Sequence, residues 1–361
     1  MGEDNSVTLE ALRVALENGL LGDALDMRSL LRVRAVSKDT RAAYELGRAI
    51  AWRRSMQWGE LGEAPNPDGF MYDWWRRAVD LGGAEVVTAL LEAAGERARD
   101  LLMEPTTLWN NASCLSSAAR KGDLEMVAAL LRFAGKLGAE ELRQLLLMPN
   151  DWGKTCLHVS ASRGYLHITQ ALLAAGGREL AMTTDNSGES CLCAAVSECC
   201  RTNTARAGHL EIVRELLRAY PQLLMLTTDI GYSCLHSAVA AEHLQVVMCL
   251  LQAARPLQHD LCMITNNQGS TCLHLAVQSS SLDFVVEVLP TLLEAGGPKL
   301  LTMRDLEGCN CLSIAVERRT PLISNMLAEA AGPEGRTELH KLNKELEKRD
   351  EARAALYEGF D

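Results

Sequence analysis

The most regular feature of the chain is an apolar stripe that is laid down, interrupted and laid down again. Leu124, Met126, Leu130 and Leu131 fall on one face of a helix, and Leu166, Ile168, Leu172 and Leu173 repeat the arrangement. Leu210, Leu216 and Leu217, then Leu244, Leu250 and Leu251, then Leu282, Val288 and Leu289 keep the same frame. Before each stripe lies a shorter apolar segment: SCLSSAA from Ser113, TCLHVSA from Thr155, SCLCAAV from Ser190, SCLHSAV from Ser233, TCLHLAV from Thr271 and, near the end, NCLSIAV from Asn310. The cysteines of these segments, at positions 114, 156, 191, 234, 272 and 311, recur at intervals of 35 to 43 residues, a period that marks a repeat architecture.

Each slot of the repeat has a physical reason. The first residue is always Ser, Thr or Asn, whose side-chain oxygen can accept from the free N–H groups of a helix's first turn, so it predicts a helix start. The Leu and the small residue three positions on (Ala118, Ser160, Ala195, Ala238, Ala276, Ala315) face inward, where a small side chain lets two helices approach. Gly122 and Gly164 are placed to end the first helix in a left-handed conformation. Gly153, Gly188, Gly231, Gly269 and Gly308, two positions before a helix start, mark a turn. Asp73, Ala78, Gly82, Val86, Leu90 and Leu91 fit the same slots, so a divergent unit begins near Asp73 and makes seven in all.

These segments closely resemble the T-P-L-H-x-A-A opening of ankyrin repeats, with Cys where that family usually has Pro, over residues 73–331. The resemblance implies an all-α, ankyrin-type helical-repeat solenoid with short β-hairpin fingers. It also implies a scaffold that binds a partner protein through its fingers and concave face. Three departures carry structural expectations. The intervals exceed the family's usual ~33 residues, so the segments Gly176 to Asp185 and Arg255 to Asn267 should be longer than standard. Residues 198–207 read as an inserted loop, and Pro321 and Met326 break the last unit as a terminal repeat often does.

The ends lie outside the repeat. Residues 1–58 are expected to be an N-terminal helical segment, with stripes through Leu9, Leu12 and Leu16 and then through Leu30, Leu31, Val33 and Val36. LDMRSLLRVRAVSKDTRAAYE from Leu25, with Trp52-Arg53 beyond it, resembles the second half of an F-box that lacks the usual Leu-Pro opening. That likeness implies that Leu30, Leu31, Val36 and Trp52 would contact a cullin-ligase adaptor, making the chain a substrate receptor of a ubiquitin ligase. The plainer alternative is a helical cap over the first repeat, near Trp74, Trp75 and Val79. Residues 59–72, with Pro65 and Pro67, read as a linker, and residues 332–361 as a charged helix with one short stripe of Leu339, Leu342 and Leu346.

Composition narrows the function. Hydrophobic residues make up 48% of the 361 but aromatics only 4%, so the core is built from Ala, Leu and Val in closely packed helices. A net charge of −11 excludes nucleic acid as the main ligand, since phosphate binding needs clustered Lys and Arg. No apolar run reaches the ~18 residues that cross a bilayer, and the N-terminus has no signal-peptide pattern, so the expected location is cytoplasmic or nuclear with no membrane partner. The 12 cysteines are expected as reduced thiols.

Candidate chemistry is sparse. His158, His236 and His274 share a slot that Ser116, Cys193 and Ser313 fill elsewhere, and a catalytic histidine would not exchange with serine. They are expected to be structural groups bonding between neighbouring repeats. Cys191, Cys193, Cys199 and Cys200 are the densest thiol cluster, but they form no C-x-x-C pair and two of them are repeat positions. No catalytic residue, metal or cofactor is therefore assigned. The fingertip slots vary from unit to unit and so are free to serve a ligand: Trp152, Lys154, Glu189, Tyr232, Gln268 and Glu307 are the predicted partner-binding residues, with Trp152 and Tyr232 as aromatic anchors. The partner is expected to be a protein.

Overall fold

The computed structural model describes residues 75–358 except 77, 80–82, 95–96, 106–109, 198–205 and 256. The N-terminal segment with Leu30, Leu31, Val36 and Trp52, the linker and the first repeat's opening at Asp73 lie outside the described residues, as does most of the 198–207 insertion. The chain divides into two units, residues 1–151 and 152–361.

In the first unit, α1 (Ala84–Ala94), α2 (Ala98–Met103), α3 (Cys114–Lys121), α4 (Leu124–Leu137) and α5 (Ala139–Leu147) are described. The amphipathic α4 packs against α1, α3 and α5, and α2 packs on α1 and α5. Leu91, Leu101, Leu102, Leu115, Met126, Leu130, Leu145 and Leu146 are buried between them. Leu124, the first leucine of the sequence stripe, is 41% exposed at the helix edge, and Val127 takes the inward place.

In the second unit the first helices are α6 (Cys156–Arg163), α8 (Cys191–Ser197), α10 (Cys234–Ala240), α13 (Cys272–Gln278) and α16 (Cys311–Glu317). Their partners are α7 (Leu166–Ala181), α9 (Arg206–Ala219), α11 (Leu244–Ala253), α14 (Leu282–Gly296) and α17 (Pro321–Ala330). Each first helix packs on its own partner and on the next first helix, and the partners stack likewise, which makes a two-layer array. The last helix, α18 (Gly332–Glu358), packs on both α16 and α17. Glu338 meets Asn310 at the start of α16 and Asp350 meets Arg319 beyond its end, so α18 runs alongside α16 where another first helix would lie. Its stripe of Leu339, Leu342 and Leu346 is half-buried, and surface ion pairs such as Arg319–Asp350 at 2.6 Å accompany the contact.

The long intervals come from a third short element in several units. α12 (Gln258–Met263), α15 (Lys299–Thr302) and the 3-10 turn Pro221–Met225 follow second helices, and Gly177 (φ 56°, ψ −147°) breaks α7 so that its last residues form a separate turn. The last carbonyls of a helix have no partner within it. Here the next repeat's cysteine supplies one: the thiols of Cys114, Cys191, Cys234 and Cys272 donate to the carbonyls of Leu102, Ala181, Leu224 and Cys262 at 3.4 to 3.8 Å. Cysteine in the usual proline slot thus matches the extra element, because a proline side chain has nothing to donate. Burial pushes the thiols of Cys114 and Cys191 up to about 12, so they stay protonated donors.

The first-helix ends show how one slot accepts different residues. Gly164 closes α6 with φ 76°, and the equivalent positions Glu242 and Arg319 adopt φ 57° and 56°. A left-handed conformation is unfavourable for these side chains. Both hold contacts across to the next element, Glu242 accepting from the Ser279 hydroxyl at 2.5 Å and Arg319 gripping Asp350.

Candidate functional site

Between successive helix pairs of the second unit the chain turns through a five-residue finger. In three of them an Asp or Asn opens the turn and its Oδ1 accepts two backbone N–H groups. Asp185 takes those of Ser187 and Glu189, Asn266 those of Gln268 and Ser270, and Asp305 those of Glu307 and Cys309, all at 2.8 to 3.0 Å. Such side-chain staples are why Asp and Asn favour turns. The glycine that follows needs φ near +75°: Gly188 has 73° and Gly269 75°, and in the first unit Asn111 takes the same place at 56°. Among the described residues the fingers contribute isolated bridges, Thr184 with Ser190 and Thr227 with Ser233, rather than longer strands.

Neighbouring fingers are tied by a recurring bond. The N–H groups of Asn186, Asp229, Asn267 and Leu306 donate to the carbonyls of Trp152, Ser187, Ile230 and Gln268 at 2.9 to 3.0 Å. The side chain of Asn267 adds a bond to the Asp229 carbonyl at 2.9 Å. The finger edge is therefore a preformed surface whose tips are held at fixed spacing.

The recurrent histidines brace this edge from below. The N–H of Thr155 donates to His158 Nδ1 at 3.3 Å, and Thr155 Oγ1 lies 2.9 Å from the same nitrogen. Nδ1 is thus the acceptor and Nε2 carries the hydrogen, which it donates to the Glu189 carbonyl of the next finger at 3.1 Å. His236 repeats both ends, with Ser233 on Nδ1 and the Ser270 carbonyl 3.2 Å from Nε2. His274 keeps the Nδ1 bond with Thr271, while among the described residues no acceptor stands at hydrogen-bonding distance and angle from its Nε2. Burial holds all three below the usual histidine range, His236 at about 4, so they are neutral at physiological pH. In the last repeat Ser313 fills the slot and caps Asn310 instead, while Asn310 Nδ2 reaches Glu338 of α18 at 3.0 Å. Each histidine is thereby engaged in a helix cap, with the Thr155, Ser233 and Thr271 hydroxyls 2.8 to 2.9 Å from the respective Nδ1 atoms as the cap residues.

The predicted binding residues fall into two groups. Trp152, Gln268 and Glu307 stand exposed at finger tips, Trp152 by 58%. Lys154, Glu189 and Tyr232 are half-buried and engaged: Lys154 Nζ lies 3.0 Å from Glu189 Oε2, and the Tyr232 ring tilts against His236 with centroids 5.5 Å apart. Two further tip residues join the exposed set. Ile230 is 59% exposed and Leu306 79%. Leu306 stands where Asp151, Asn186, Asp229 and Asn267 stand in the other fingers, and that change of chemistry in one slot was its sequence signal. Under the fifth finger an open cleft of about 390 Å³ is lined by Asp305, Glu307, Cys309, Ile314, Glu317 and Arg318, among others.

A protein-family model described as "Ankyrin repeats (3 copies)" matches residues 115–206 and 202–297. Among solved structures, a crystal structure of an ankyrin repeat protein is 21% identical over 59% of this chain and 96% of its own, with a TM-score of 0.48. An ankyrin repeat domain from Acinetobacter baumannii AYE is 22% identical over 60% of this chain and 96% of its own, again with a TM-score of 0.48. No curated protein matches the chain.

Proposed function

The chain belongs to the ankyrin-repeat family, and from that premise we propose that it is a non-catalytic scaffold that binds a partner protein along the finger edge and the exposed side of the first helices. One observation carries this: large apolar side chains stand exposed on fingers that are hydrogen-bonded to one another, so their spacing is set before any partner arrives. A pre-organised surface loses little conformational entropy on binding. Within this proposal Trp152, Gln268 and Glu307 meet the partner directly, and Lys154, Glu189 and Tyr232 shape the surface beneath them. Among the described residues no helix is long and apolar enough to cross a membrane. We place the protein in the cytoplasm or nucleus, where its buried thiols would stay reduced. The test is a photo-crosslinking residue placed at Gln268 and, as control, at Met248 on a second helix. Discrete protein adducts from Gln268 and none from Met248 support the proposal, and equal labelling from both sites refutes it.

A second proposal rests on the sequence of residues 25–52. If the F-box likeness is functional, Leu30, Leu31, Val36 and Trp52 bind a cullin-ligase adaptor and the repeats present a substrate to it. A pull-down of the full chain with purified adaptor tests this. Binding that is lost in Leu30→Ala/Leu31→Ala supports the receptor proposal, and no binding by the wild-type chain ends it in favour of a cap.

A further inference from the structure

The finger edge of the second unit pairs its exposed apolar tips with negative charge. Trp152, Ile230 and Leu306 stand on the first, third and fifth fingers, and the second and fourth carry Ser187 and Gln268 in the slot of Trp152 and Ile230. Beside the apolar tips of the third and fifth fingers lie the exposed carboxylates of Asp229 and Glu307. In residues 152–154, 185–189, 228–232, 266–270 and 305–309 the acidic groups are Asp185, Glu189, Asp229, Asp305 and Glu307, and Lys154 is the one basic residue. That lysine is committed, lying 3.0 Å from Glu189 and 3.6 Å from Asp185. Arg304, just before the fifth finger, turns back to the Gly308 carbonyl at 2.7 Å and toward Glu338.

The cleft under the fifth finger continues the same character. Asp305, Glu307 and Glu317 line it beside the apolar Ile314, and the Arg318 guanidinium on its rim is drawn toward the Ser279 carbonyl at 3.3 Å. An anionic surface punctuated by apolar anchors is matched by a surface of opposite sign that carries apolar side chains, since complementary charge steers encounter and disfavours acidic competitors. We propose that the partner contacts this edge through a basic segment, Lys- or Arg-rich with interspersed apolar side chains, whose apolar groups pack on Trp152, Ile230 and Leu306 while its cations face Asp229, Glu307 and the cleft. This rests on the binding role of the fingers proposed above and assigns the chemistry of what they bind.

The experiment is selection of a phage-displayed random dodecapeptide library on the full chain, followed by affinity measurement of the enriched peptides as synthetic probes. Enriched peptides that are net basic and apolar support the inference, provided their affinity falls at least tenfold in Trp152→Ser/Ile230→Ser/Leu306→Ser and at least tenfold between 50 and 500 mM salt. The three side chains are exposed, and an unchanged melting curve for the variant shows that the fold is intact. Enriched peptides without basic residues, whose binding is still lost in the variant, overturn the charge assignment and leave the finger-binding role standing. Peptides whose binding the variant does not alter, or a selection that enriches nothing, overturn both.

Discussion

Replacing His236 by Gln should make stability less dependent on pH and reverse the order of the two proteins in acid. In the wild type the ring is buried, accepts from the Ser233 N–H and donates to the Ser270 carbonyl, and it titrates at about 4 instead of the usual 6.5. The unfolded chain therefore takes up a proton near pH 6.5 that the folded chain refuses until about pH 4. Stability from this residue is complete above pH 6.5, falls as the pH drops through that window and is level again below it. One pKa unit is worth about 1.4 kcal/mol, so the full loss is roughly 3 kcal/mol, of which about 2.5 is gone by pH 4.5. Glutamine at this slot can still take part in a capping box and donate to Ser270, at a cost of about 1 kcal/mol at pH 7. Urea unfolding followed by far-ultraviolet circular dichroism at pH 7.5 and 4.5 should show the variant weaker at the first and stronger by about 1.5 kcal/mol at the second. Carboxylates titrate in both proteins and cancel in the difference. Stability curves that run parallel across the range, with the His236 ring titrating near 6.5 by NMR, would refute the assignment of a neutral bracing histidine.

Leu273 is fully buried in α13, and Leu273→Ala should cost about 2 to 5 kcal/mol in urea unfolding; a cost near zero would contradict its inward position. Gly231→Val should destabilise by about 2 kcal/mol or more, because φ is 78° and a Cβ would stand 2.8 Å from the Asn266 Cα of the next finger. Hydrogen exchange checks it, since the Asn267 N–H that bonds to Ile230 should exchange faster in the variant. Cys234→Ala should cost about 1 to 2 kcal/mol by stripping the donor from the Leu224 carbonyl, whereas Cys249→Ala, at a half-buried thiol, should cost less than about 1. Equal costs at the two cysteines, read from urea midpoints, would remove the thiol from its capping role.

The period, the two-helix unit and the helix starts were legible in the chain itself, because core slots recur whenever each unit packs on the same kind of neighbour. Ser233, Thr271 and Asn310 stand where a cap is needed, and local hydrogen-bonding chemistry is enough to predict that role. The varying tips were legible too, but not which of them stay exposed. Lys154 and Glu189 are 35 residues apart in sequence and become a pair only when two fingers are laid side by side. Tyr232 loses part of its exposure to His236 by the same closeness, and Leu306 gains its own from standing at the edge of the last finger. The cysteine slot likewise gains its meaning from folding, for a thiol at Cys234 can cap Leu224 only after the extra turn has brought that carbonyl to it. Periodicity and capping act within a few residues and can be read along the chain; pairing, exposure and the direction of a titration depend on distances between segments, which exist only once the repeats are stacked.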